Sequence, residues 1–117
     1  MQSRSLTFLY FLVFGLFVFS QPLRAEFISG IDLAKWCESK DPSDKAGCLS
    51  YILGVNDTLD RLSAGKKDKL YCLPTDNFAS GELYGVVYNF MQKNPKYAHQ
   101  SAAVNTMIAL QRHYPCN

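Results

Sequence analysis

Cys37, Cys48, Cys72 and Cys116, with His99 and His113, are the side chains with most chemistry to offer. Cysteine beside histidine can make a thiolate nucleophile or a zinc site, whereas four cysteines alone can make two disulfides. Spacing separates these options. No cysteines stand in the C-x-x-C pattern of zinc ligands or a redox dithiol, and the two histidines lie 14 residues apart. A G-x-S-x-G elbow, an H-E-x-x-H pair, a calcium loop and a glycine-rich phosphate cradle are all missing. Asp57 and Asp60 could share a helix as an acid/base pair. They fall opposite the apolar stripe through Cys48 and Val55, however, and read as a solvated face. No catalytic residue, metal site or cofactor is expected, and so no enzyme.

The even cysteine count reads instead as two disulfides, which a small exported domain needs to supplement its core. Four cysteines allow three connectivities, and the sequence leaves all three open. The favoured pairing is the most local one, Cys37–Cys48 with Cys72–Cys116, closing loops of 11 and 44 residues. Chain entropy alone assigns these closures about 2.8 and about 4 kcal/mol.

Export is itself legible at the start of the chain. Arg4 precedes an uncharged run of 14 residues, Leu6 to Phe19, followed by Pro22 and Ala25. That run is short of the ~20 apolar residues a membrane helix requires, and it reads as a signal peptide over residues 1–25. Cleavage is expected after Ala25, with Ser20 as the competing position. A single domain over residues 26–117 remains, carrying ten basic and ten acidic residues and so no net charge. A neutral domain has no electrostatic footprint for nucleic acid.

The elements that must hold the cysteines read as helices. Leu33, Trp36 and Cys37 recur at helical spacing between Gly30 and Ser39. A second helix, capped by Ser43 or Asp44, follows Lys40-Asp41-Pro42 and carries Cys48, Tyr51, Ile52, Val55, Leu59 and Leu62 as its apolar stripe. Gly47 and Gly54 share a stripe with Tyr51 and Thr58, and a helical glycine costs about 1 kcal/mol against alanine. A close approach by another element is the expected reason. Ser80 is expected to cap a third helix through Leu83, Val86, Val87 and Phe90, which Asn94-Pro95 stops. A fourth runs from Ser101 to Arg112. The fold class is therefore all-α, a bundle of four or five helices stapled by two disulfides.

Two features could carry binding. The loop of Gly65, Lys66, Lys67 and Lys69 reads as a mobile basic knuckle, and Tyr84 and Tyr88 line the shoulder of the third helix with Met91. The sequon Asn56-Asp57-Thr58 falls in mid-helix, where glycan acceptors are poorly placed.

The order of these residues is more specific than their types. Gly30-x-x-Leu33-x-x-x-Cys37 is followed by Cys48-x-x-Tyr51-Ile52-x-Gly54-Val55-x-Asp57 and by Cys72-x-Pro74. Then come Ser80-Gly81-Glu82-Leu83, Asn94-Pro95, Ala109-Leu110 and the closing Tyr114-Pro115-Cys116. Across essentially the whole mature chain this resembles the Rap/Tai immunity proteins, which neutralise amidase effectors of type VI secretion. Glu82 and Asn94 stand where relatives often carry Gln and His, changes that leave the fold expectation intact. The resemblance implies a periplasmic helical protein, often dimeric, that occludes the catalytic cleft of a peptidoglycan amidase. Its motif positions are cysteines, glycines and core residues, so no inhibitory residue transfers with it. The alternatives are an acid-activated helical chaperone and a carrier of a small apolar ligand.

Overall fold

Residues 27–76 and 78–117 are described in a computed structural model, and the expected signal peptide lies outside them. Each helix starts where a local donor–acceptor arrangement lets it. Helix α1 (Gly30–Glu38) opens on a reciprocal capping box. The Ser29 hydroxyl accepts from the Asp32 N–H at 3.2 Å, and the Asp32 carboxylate accepts from the Ser29 hydroxyl at 2.6 Å. Those bonds from Ser29 hold the Asp32 carboxyl below its usual range. Helix α2 (Pro42–Ser63) is 22 residues long, about 33 Å. Its cap is Asp41 rather than Ser43 or Asp44: Pro42 takes the first helical position, where its missing N–H costs nothing, and Asp41 accepts from the Ser43 N–H at 2.7 Å. Helix α3 (Ser80–Lys93) starts one residue earlier than a Ser80 cap would place it, with Ala79 at the cap position and no side-chain bond there. A 3-10 turn, Pro95–Tyr97, leads to α4 (Ala102–His113), which Ser101 caps by accepting from the Val104 N–H.

Four α-helices and no strand make up the described residues, with α1 laid along α2 and α3 along α4. The core is closed by Leu33, Ile52, Leu83, Val87 and Leu110, all fully buried, with Tyr71 from the long connection beneath α2. Cys37–Cys48 ties α1 to α2 within this core, and Cys72–Cys116 ties the connection to the chain end at the surface. The favoured pairing is the one present.

The chain entry is fastened to α4. Gly30 N–H donates to Gln100 O and Ala102 N–H to Ile28 O, both at 2.8 Å. Inside that junction Asn105 is fully buried and its amide donates to Tyr97 O at 2.9 Å and Ser101 O at 3.1 Å. The approach is so close that Gly30 has no room for a side chain: a Cβ there would lie 2.6 Å from Asn105 Nδ2.

Three stripe assignments differ from expectation. Leu62 is 61% exposed, because α2 outruns the helices that cover it. Met91 is buried with the core rather than on the shoulder. Gly54 has open space around it, so no element approaches it closely. It lines a groove of about 490 Å³ between α2 and α4 with Tyr51, Val55, Leu59, Val104 and Met107.

Candidate functional site

The basic knuckle projects from a well-anchored base. At the end of α2 the buried Ser63 hydroxyl donates to Leu59 O at 2.9 Å, and Lys66 N–H donates to Ser63 O at 3.1 Å. Gly65 then takes φ 74°, a left-handed conformation that costs glycine little and other residues more. Lys66, Lys67 and Lys69 follow, all exposed. Beyond them the chain is caught again: Cys72 N–H donates to Tyr114 O at 2.8 Å and its sulfur is bonded to Cys116. Leu62 and Leu70 flank the lysines, 61% and 42% exposed. The knuckle is thus a cationic tip with apolar side chains on either side. Neither leucine is legible as a surface residue from the sequence, since Leu62 matches the core period of its helix.

Tyr71 plugs the base of this loop. Its hydroxyl donates to Asn56 Oδ1 at 2.9 Å, so the sequon asparagine is engaged in a tertiary contact. Burial, with the carboxylates of Asp60 and Asp57 adding to it, pushes the Tyr71 phenol up to about 12. The unfolded phenol titrates near 10, so the folded state favours the neutral form. The stability this contributes is fully present below pH ~10 and is lost as the pH rises from there through 12. Alkaline unfolding of Tyr71→Phe, followed by circular dichroism, is expected to start at higher pH than that of the parent chain. An unchanged alkaline limb would show that Tyr71 does not control it.

The tyrosine pair sits elsewhere. The Tyr84 hydroxyl donates to Cys37 O at 2.7 Å, fastening α3 to the end of α1, and its ring stacks on Tyr88 at 5.9 Å. Glu38 and Gln92 hydrogen-bond across the same seam. Tyr84 therefore carries a structural bond, while Tyr88 presents the freer edge of the pair, half-buried. From Cys48, bonded to Cys37, to Gly65 is 17 residues of α2 and its end, about 25 Å. The two sets of expected contact residues are not brought together.

His99 and His113 are both exposed, and no group of His, Cys, Asp and Glu suited to a metal occurs among the described residues. All four cysteines are in disulfides.

A family model described as Rap1a immunity proteins matches residues 29–116, from the Ser29 cap through the last cysteine. The chain belongs to the Rap1a immunity protein family. No curated protein matches it. For a Rap1a immunity protein the functional surface is one that binds a protein effector. The match runs over both disulfides and all four helices of the described residues. No helix among those residues is long and apolar enough to cross a membrane.

Proposed function

We propose that this chain is a periplasmic immunity protein that binds a secreted peptidoglycan amidase and occludes its cleft. Family membership carries the immunity role, and the resemblance described above supports the amidase as target. The observation that carries the mode of action is the tip of Gly65, Lys66, Lys67 and Lys69, exposed and held at both ends by Ser63 and by Cys72–Cys116. A loop fastened at both ends has less conformational entropy to lose on docking than a free one. Tyr88, with Tyr84 behind it, is the second contact; a standard interface buries roughly 800 Å² per partner and is about 30 Å across. The leader over residues 1–25 supplies export, and a homodimer is the assembly that the family resemblance implies.

The test is inhibition of the amidase secreted by the same organism, using the mature, oxidised domain. Stoichiometric inhibition in physiological salt is the expected result. Lys66→Glu, Lys67→Glu and Lys69→Glu together should slow association at least tenfold and flatten its salt dependence, since surface charges act mainly on encounter rate. Tyr88→Ala should speed dissociation with the fold intact. A domain that inhibits no amidase but suppresses aggregation at acid pH would belong to the chaperone alternative instead.

A further inference from the structure

After Glu82 the sequence carries no Asp or Glu, yet it carries Lys93, Lys96 and Arg112. Two of these cations, Lys93 and Arg112, line one open groove of about 540 Å³ between α3 and α4, together with Asn89, Phe90, Asn94 and His113. Basic residues in a last helical turn ordinarily offset the carbonyls there. In this groove two of those carbonyls have other partners. The Asn94 side-chain amide donates to Phe90 O at 2.8 Å, and Tyr114 N–H donates to Leu110 O at 2.9 Å.

Arg112 is held by neutral groups. Its guanidinium lies over the Phe90 and Tyr97 rings, 5.5 Å from each centroid, and one terminal nitrogen donates to the Tyr97 hydroxyl at 3.0 Å. A guanidinium has five donors in a planar fork, so most remain available, and ring stacking has already fixed the side chain. Glu82 stands at the far end of the groove, about 16 Å along α3 from Lys93. With its guanidinium over Phe90 and Tyr97, Arg112 carries its charge toward the Lys93 end of the groove.

We propose that the α3/α4 groove is a carboxylate-binding site. Arg112 is its two-pronged donor, Lys93 the second cation, and Asn89 a neutral donor on the same wall. The planar fork matches a carboxylate in geometry, and a pair of such bonds is the strong form of charge-assisted hydrogen bonding. The carboxylate can belong to an acidic side chain of a partner protein or to a free peptide acid, and the site itself does not depend on the immunity reading.

The probe is glutarate, titrated into the mature, oxidised domain and followed by amide chemical shifts, with the neutral diamide glutaramide and inorganic phosphate as controls. Saturable shifts at Asn89, Lys93 and Arg112 are expected with glutarate and none with glutaramide. Arg112→Gln and, on an exposed position with no packing role, Lys93→Gln should each weaken the response at least tenfold. Shifts that do not saturate, that spread equally over Lys66–Lys69, or that survive Lys93→Gln would overturn the proposal. Tighter binding of phosphate than of glutarate would overturn the carboxylate assignment. If glutarate binds and the two variants also weaken amidase inhibition, the natural carboxylate is a partner side chain; if inhibition is unchanged, it is a free acid.

Discussion

Replacing Cys37 and Cys48 together by serine is expected to unfold the domain at 37 °C, whereas the same exchange at Cys72 and Cys116 leaves it folded and weaker. Chain entropy alone predicts the opposite order, about 2.8 kcal/mol for the 11-residue closure against about 4 kcal/mol for the 44-residue one. Burial reverses it. Cys37 and Cys48 are 1% and 0% exposed, so two serine hydroxyls would be left in the apolar core at about 1–3 kcal/mol each. The total, about 5–9 kcal/mol, is comparable to the whole stability of a domain this size. Cys72 and Cys116 are exposed, and serine there is solvated. Urea unfolding of the two double variants decides between the accounts. A Cys72/Cys116 variant less stable than the Cys37/Cys48 one would show that loop length outweighs burial. The surviving variant has a second use: with the distal anchor of the basic tip cut, it should bind the effector more weakly while remaining helical.

The second large effect is expected from a single methyl group. Gly30→Ala places a Cβ 2.6 Å from Asn105 Nδ2 and 3.0 Å from Ala98 O. The backbone cannot retreat cheaply, because Gly30 N–H is bonded to Gln100 O and Ile31 N–H to Ala98 O. Asn105 would have to leave the carbonyls of Tyr97 and Ser101, both of which it serves from a buried position. Overpacking together with those lost bonds costs about 3 kcal/mol. Gly54→Ala is the control, since open space surrounds that position and helix propensity favours alanine by about 1 kcal/mol. Thermal unfolding should therefore move down for the first glycine and up for the second. Equal shifts would show that the junction between Gly30 and Asn105 is looser than its distances indicate.

These two glycines mark the line between what local sequence decides and what it leaves open. Helix existence was legible because Leu33/Cys37, Cys48/Ile52 and Leu83/Val87 repeat at the period of a helix, and each pair proved buried. The family resemblance was legible for the same reason: its marks are cysteines, glycines and core positions, which answer to the scaffold. Helix starts were less so, since Asp41 and Ser43 are both good caps and only Pro42 at the first turn favours the former. Leu62 shows the reverse failure, a residue in phase with the core on a helix that runs past it.

What the sequence determined by itself is the set of elements and the need for two disulfides, because hydrophobic period and cysteine count are local or compositional properties. Tertiary structure alone decided which glycine is crowded, which disulfide is buried, and that Tyr84 is fastened at Cys37, whose disulfide partner Cys48 lies about 25 Å along α2 from the basic tip. It also decided that Arg112 is held on Phe90 and Tyr97 beside Lys93. Each of these depends on where one helix meets another, and that meeting depends on how all four helices fill a single core.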